Sequence, residues 1–481
     1  MRLTLAHFVG GAWLAADSAS ALTSVNPSDR RDVIAEIPEA SPSTVHAAAA
    51  TAAEAQRKWR ALPGPARAEA LYRWSGVLQA RQEELAQAMA REVGKPIAEA
   101  RGEAARGVAI LRYYAGEAVR EIGEVIPSQL ANTLQFTLRD PLGVVGLITP
   151  WNFPIAIPLW KAAPALAFGN AVVLKPSELS AHCAALLAET AALAELPPGL
   201  FNVVQGSGAV TGEALLAEPL VRGLSFTGSA KVGARVAEVA ARRNIRYQTE
   251  MGGKNAALVL ADADLKRAAT LTASGAMRFA GQKCTATSRV IVDRSVFEPF
   301  MAALAAEIAT FSLGPVTEPS CAIGPLVSLA ARERVVGLLA AGSSDARLHC
   351  GGEVATGDAF SEGNFLQPTV LSEVAPDSPL LVQELFAPVL VAIAAEGAED
   401  AIRLANETPY GLSATVFTND LKAALGYVRG IEAGLVRVNG DTTGVDPHAP
   451  FGGVKGSSSG SREQGPAARE FYTEIRTVQI G

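Results

Sequence analysis

Val144-Val145-Gly146-Leu147-Ile148 sets a short, apolar, β-rich run directly against the turn Thr149-Pro150-Trp151-Asn152-Phe153-Pro154. The same rhythm repeats downstream. Ala171-Val172-Val173-Leu174 leads into a helix expected from Ser180 to Ala194. Phe201 to Val204 leads into one from about Val210, and Gly223 to Phe226 into one that starts after Ser229. Strands without polar alternation are buried on both faces, and helices between them carry the chain across for parallel pairing. The crossover rule then predicts a doubly wound, Rossmann-type α/β sheet with its ligand site beyond the strands' carboxyl ends.

Outward from this block, residues 43–123 read as helical, with apolar residues three and four apart and punctuation at Pro63, Gly64 and Gly94. Before them, Phe8 to Trp13 reads as a short strand pair around Gly10-Gly11. Gly123 to Ile126 and Thr133 to Leu138 suggest a hairpin with one wet face. After a further strand, Arg246–Thr249, a second α/β region begins, with strands at 256–259, 290–292, 388–393, 414–418 and 435–438. Helices are expected over 262–279, with Asp262 as N-cap, and over 296–308; the tail from Phe471 to Ile480 reads as extended. A chain of 481 residues exceeds what one core usually organises, so more than one domain is expected.

Composition narrows the functional classes. About half the chain is apolar and the formal charge is −6, which fits a globular protein and disfavours a nucleic-acid partner. Cys183, Cys284, Cys321 and Cys350 show neither paired nor regular spacing, so no disulfide framework and no metal site is expected. Met1 to Ala21 faintly mimics a secretion signal, but His7 and Gly10-Gly11 interrupt it. Pro141 to Trp160 is uncharged and long enough to span a bilayer, yet four prolines break it. A cytoplasmic protein with no membrane partner is the expectation.

Three segments offer chemistry. In Gly281-Gln282-Lys283-Cys284-Thr285, glycine allows close backbone approach to a thiol flanked by a small residue. Glu250, before Gly252-Gly253, stands at a strand's carboxyl end. Asn152 lies between Pro150 and Pro154, where its amide would be held in one place for a developing oxyanion. Taken singly, a packed thiol and a turn asparagine are the better readings of the first and third, and a loop carboxylate an equal reading of the second. A Cys–His hydrolase also stays open, because such partners meet only in space.

As an ordered set they resemble the aldehyde dehydrogenase superfamily over nearly the whole chain. Lys175-Pro176-Ser177-Glu178, Phe226-Thr227-Gly228-Ser229, Glu384-Leu385-Phe386-Ala387-Pro388 and Pro450-Phe451-Gly452-Gly453 complete the family's series of motifs in the family's order. Met251 stands where the family usually has Leu, a volume-conserving exchange. The resemblance implies a Rossmann-type cofactor domain over 1–122 and 142–252 and a catalytic α/β domain over 253–452. It also implies a small β oligomerisation element over 123–141 and 453–481, and hence a homodimer or homotetramer.

By the same resemblance Cys284 is the nucleophile, Asn152 the oxyanion donor and Glu250 the base, with Lys161 and Glu463 on a proton path behind it. The cofactor is NAD, favoured over NADP because Glu178 would repel a 2′-phosphate, although Lys175 would pair with one. Its expected contacts are Ile148, Thr149, Pro150, Trp151, Lys175, Ser177, Glu178, Gly208, Gly212, Phe226, Thr227, Gly228, Ser229, Val232, Met251, Gly252, Glu384 and Phe386. Phe153, Arg278, Lys283, Thr285 and Phe451 are the substrate candidates, with Lys283 or Arg278 to hold a substrate carboxylate.

The stretches around Cys284 and from Val445 to Gly465 are similar to the 2-oxoglutarate semialdehyde (2,5-dioxopentanoate) dehydrogenase branch. Succinic, glutaric or broad-range aldehyde oxidation are the alternatives within the class. Outside it stand a thioester hydrolase using Cys284 and Glu250, and a non-catalytic structural relative. The second is disfavoured by the presence of all three site residues, the first by the dinucleotide motifs.

Overall fold

Largely buried strands form the centre of an eight-stranded sheet in a computed structural model that describes residues 2–15, 21–120, 123–343 and 346–481. Most of the Ala19-Ser20-Ala21 end of the signal-like segment lies outside the described residues. The strand order is Ser458–Gly460, Arg246–Glu250, Val221–Thr227, Val144–Ile148, Ala171–Lys175, Phe201–Val203, His7–Val9 and Ala12–Leu14. The five strands from Arg246–Glu250 to Phe201–Val203 are parallel, and antiparallel strands close both edges.

Sequence order reverses between Val144–Ile148 and Val221–Thr227, which are neighbours in the sheet. At such a switch point the connections leave to opposite faces and a crevice opens beyond the strand ends. Ile148 lies opposite Phe226 in register, so Thr149 and Thr227 emerge side by side at that crevice. Helix Ala156–Ala167, buried along its whole length, packs beneath it.

The expected N-terminal helical region is present as Pro42–Arg60, Gly64–Ala80, Gln82–Val93 and Ile97–Glu117. Ser41 Oγ caps the first by accepting from Thr44 N at 3.2 Å. Gly94, at φ 67°, ends the third where a Cβ would collide with Pro27 and Pro325.

A seven-stranded sheet holds the second α/β region, in the order Arg347–Cys350, Thr369–Ser372, Val389–Ala395, Arg289–Asp293, Ala256–Val259, Ser413–Phe417 and Leu435–Val438. Thr473–Ile480 pairs antiparallel with Leu134–Pro141, which also pairs with Val125–Ile126.

The structure corrects several expectations. No residue of Leu134–Pro141 is buried, so the alternation there does not bury one face; Leu134 and Leu138 lie exposed, as do Val125, Ile475 and Ile480. Asp264, not Asp262, caps helix Leu265–Met277, accepting from Arg267 N. Asp262 instead accepts from Thr418 Oγ1 and Asn419 N. The helix expected from Val210 shortens to a wide turn, Gly208–Gly212, and one short helix, Glu213–Ala217. The strands Ala21–Asn26 and Asp29–Pro38, which pair with each other while Asp29–Pro38 also pairs with Leu3–Thr4, went unread because Asp29-Arg30-Arg31-Asp32 masks the buried Ile34, Ala35 and Ile37.

Candidate active site

Helix Leu265–Met277 gives way to three successive residues in left-handed backbone, Phe279, Ala280 and Gly281, at φ 54°, 52° and 65°. Two of them are not glycine, which costs roughly 1–2 kcal/mol each. Compensation comes from the wholly buried Phe279 ring, whose centroid lies 6.4 Å from those of Trp151 and Phe153. At Gly281 a Cβ would collide with the carbonyl of Ala387. The reversal delivers Cys284 to the mouth of the crevice.

Side-chain amides clamp the main chain on both sides of the thiol. Gln282 Nε2 donates to Pro325 O at 3.1 Å while its Oε1 accepts from Val327 N at 2.9 Å. Asn255 Nδ2 donates to the carbonyls of Cys284 and Ala286, each at 2.8 Å. Asn152 Nδ2 donates to Gln282 O at 3.0 Å, which ties the proline turn to the cysteine loop.

Asn152 is itself held from below by residues that the sequence did not single out. Lys95 Nζ, wholly buried, donates to Asn152 O at 2.6 Å and pairs with Glu103. It also lies 3.9 Å from the centroid of the Phe153 ring and 4.5 Å from that of Phe279. Glu103 Oε1 accepts from Ile155 N and Ala156 N at 2.9 and 3.0 Å. One buried ion pair thus fixes the backbone on both sides of Phe153.

A cavity of about 220 Å³ joins the crevice to the thiol. Pro150, Trp151, Asn152, Thr227, Gly228, Ser229, Met251, Gly252, Cys284, Glu384 and Phe386, all singled out in the sequence, line it together with Ile157. A larger cavity of about 670 Å³ lies beside Phe297, Leu381 and Ile393 in the second α/β region, and none of its lining residues is a cysteine or an amide. The thiol and the Asn152 amide meet in the smaller one.

Cys284 keeps part of its surface open although most of the thiol is enclosed. Burial pushes the thiol up to about 12, and the Glu384 and Glu250 carboxylates push the same way. Glu250, buried at its strand end, accepts from Ser458 Oγ at 2.5 Å through Oε2. Its Oε1 is buried with no hydrogen-bond partner among the described residues. Burial and the Glu463 carboxylate hold this carboxyl well above the usual range. Behind it, Lys161 Nζ pairs with Glu463 and donates to Ser225 Oγ at 2.9 Å, all of it buried.

The crevice fits a dinucleotide on its own features. Thr149 Oγ1 and Thr227 Oγ1 are buried hydroxyls with no partner among the described residues. Helix Ala230–Arg243 starts at the switch point with Ser229 as N-cap, accepting from the exposed Val232 at 3.4 Å, a ready anion site. A Cβ at Gly228 would strike the Phe226 ring. Glu384 tucks its carboxylate under the Gly252-Gly253 turn, where Oε1 accepts from Gly253 N at 3.1 Å and burial raises the carboxyl to about 7. Lys254 Nζ donates to Gln383 O at 2.8 Å, which holds the same loop from inside; its role too went unread. Lys175 Nζ lies 3.4 Å from Glu178 Oε2, with Glu178 half-exposed and Ser177 capping the turn Glu178–Ser180 that follows. Gly208 and Gly212 sit in the wide turn after Phe201–Val203, Gly208 exposed and Gly212 buried.

The substrate candidates are scattered. Among the described residues the cavity's lining includes none of Phe153, Arg278, Lys283, Thr285 and Phe451. Lys283 Nζ is paired with Glu99 at 2.8 Å. Arg278 is exposed, its guanidinium 5.7 Å from the centroid of the Phe311 ring. Thr285 is buried and its carbonyl accepts from Thr442 Oγ1 at 2.7 Å. Phe451 is buried against Trp160 at 5.5 Å.

Residues 13–478 match the description "Aldehyde dehydrogenase family". The chain is 42% identical over 479 residues to the alpha-ketoglutaric semialdehyde dehydrogenase of Bacillus subtilis, covering 99% of this chain and 98% of that one. It is 41% identical over 479 residues to a betaine aldehyde dehydrogenase of Cereibacter sphaeroides, covering 99% and 97%. The crystal structure of an NAD-dependent aldehyde dehydrogenase from Sinorhizobium meliloti superposes with a TM-score of 0.96 at 37% identity, covering 100% and 95%.

Proposed function

The chain belongs to the aldehyde dehydrogenase family, and from that premise we propose that it oxidises 2-oxoglutarate semialdehyde to 2-oxoglutarate with NAD(P)⁺, through a thioester on Cys284. The observation that carries the chemistry is one cavity shared by the thiol, the Asn152 amide and the switch-point crevice.

In the proposed reaction Glu250 takes the Cys284 thiol proton as the sulfur forms a C–S bond to the aldehyde carbon, and the carbonyl π pair moves onto oxygen; that proton passes inward before Glu250 acts again. The Asn152 amide and the Cys284 backbone N–H stabilise that oxyanion. NAD(P)⁺, when bound, supplies the acceptor for the hydride that leaves the same carbon. Glu250 then takes a proton from water as the water oxygen attacks the thioester, and the thiolate departs. Lys161 and Glu463 lie where a proton would pass inward from Glu250. Lys175, Ser177 and Glu178 would hold the adenosine ribose, and Glu384 the nicotinamide ribose. Repulsion of a 2′-phosphate by Glu178 favours NAD⁺ over NADP⁺.

The substrate assignment draws on the Bacillus relative and on the motif around Cys284. Betaine-type aldehydes form the other arm of the test, because the Cereibacter relative matches almost as well. Reduced-cofactor absorbance with each dinucleotide should give the highest kcat/KM for 2-oxoglutarate semialdehyde over betaine aldehyde, propanal and benzaldehyde, with NAD⁺ preferred. A preference for betaine aldehyde would overturn the substrate assignment and leave the chemistry standing.

We place the enzyme in the cytoplasm as a homodimer or homotetramer. Among the described residues no helix is long and apolar enough to cross a membrane. The ribbon of Leu134–Pro141 and Thr473–Ile480 leaves Leu134, Leu138, Ile475 and Ile480 exposed, and such an edge invites pairing with a second copy. A monomeric mass at micromolar concentration would rule this out. The cofactor, catalytic and oligomerisation segments anticipated above serve as the working division into domains.

A further inference from the structure

Lys283 and Arg278, the cations that the sequence offered for a substrate carboxylate, both have other companions: Lys283 is paired with Glu99, and Arg278 stacks on Phe311. Arg106 is less committed. It lies within helix Ile97–Glu117, half-buried, and among the described residues its enclosed Nε has no hydrogen-bond partner. A cation in that state calls for an anion, since an unmet buried donor is costly and an unmet charge more so. The two carboxylates that act on it are Glu103 and Asp446. Glu103 is already taken by Lys95 and by the amides of Ile155 and Ala156. Asp446 is exposed and lies 3.9 Å from His448.

Arg106 is not among the cavity's lining residues, but its neighbours on the helix reach the segments that flank the cavity. Glu103, one turn earlier, reaches the backbone just after Asn152. A Cβ at Gly107, the next residue, would press on Ile155 and Leu159 of the same segment. Tyr113, two turns later, brings its ring within 6.4 Å of that of His448, in the loop that leads to Phe451. Arg106 therefore lies between two segments that flank the site: 152–157, whose Ile157 lines the cavity with Cys284, and 446–451.

We propose that Arg106 determines specificity by binding the distal carboxylate of an acidic aldehyde whose carbonyl carbon sits at Cys284. The inference rests on the semialdehyde reading and deepens it. A guanidinium offers two parallel N–H donors to a carboxylate, and partial exclusion of water strengthens the pair. The same charge would repel a trimethylammonium aldehyde, which separates the two substrate readings left open by sequence identity.

The test compares kcat/KM for 2-oxoglutarate semialdehyde and for pentanal, a neutral aldehyde of the same chain length, in the full-length enzyme. Arg106→Met should lower the acidic-to-neutral preference about 10- to 100-fold, mainly through KM, and Arg106→Lys should restore part of it. Equal losses on both substrates, unrecovered in Arg106→Lys, would mark a structural role and overturn the proposal. An unchanged preference in Arg106→Met, or the same selective loss in Lys283→Met alone, would overturn it while leaving the semialdehyde reading intact. A wild-type preference for pentanal would overturn both.

Discussion

The side-chain amide of Asn152 donates to the backbone carbonyl of Gln282 at 3.0 Å, two residues before the thiol of Cys284. One N–H of that amide is spent on positioning the cysteine loop, and the other is left for a developing oxyanion. Asn152→Ala should therefore lower kcat by about 10²- to 10³-fold. Dinucleotide affinity should change little, because the ribose and phosphate contacts proposed above lie elsewhere in the crevice. Steady-state kinetics with a direct binding titration would check this; an equal loss in dinucleotide affinity would show that the loop had collapsed instead.

The Lys95–Glu103 pair is wholly enclosed, so removing one partner strands the other. Lys95→Met should cost about 3–5 kcal/mol of stability, measured by denaturant unfolding. Lys95→Met combined with Glu103→Gln should regain most of that, because the amide side chain still accepts from Ile155 and Ala156 and no buried charge remains. A double variant as unstable as the single would contradict this account of the pair.

Glu384 gives the site a pH dependence with a definite sign. Burial raises its carboxyl to about 7, so the folded enzyme carries the carboxylate only as pH rises past that value. Ribose hydroxyls donate better to a carboxylate than to a carboxylic acid. NAD⁺ affinity should accordingly tighten about tenfold between roughly pH 6 and pH 8, and Glu384→Gln should flatten the profile. Titration by protein fluorescence would check it, and a flat wild-type profile would remove Glu384 from the ribose.

How much of this was legible in the sequence follows from burial. Val144–Ile148 and Ala171–Lys175 are covered on both faces, so they read as unbroken apolar runs and disclosed the parallel sheet. Asp29–Pro38 opens with four charged residues and shows its strand character only through its partners. Cys284 and Asn152 sit in glycine- or proline-marked turns and Glu250 stands just before one, and turns can be read locally. Lys95 and Glu103 belong to a stretch where charges read as a solvated helix face; Gly94 and Pro96 around Lys95 were the one available signal. Which cation faces a substrate is not local at all, since Lys283 is neutralised by Glu99, far away in the chain.

In the proposed reaction the acyl group is held covalently on Cys284 and waits there for a water activated by Glu250. The direct measurement is the intact mass of Glu250→Gln enzyme, acid-quenched within seconds of mixing with NAD⁺ and 2-oxoglutarate semialdehyde, followed by peptide mapping. One acyl adduct per chain is expected on the peptide that contains Cys284, with reduced cofactor formed in equal amount. No adduct during cofactor reduction, or an adduct on Cys183, Cys321 or Cys350, would contradict it.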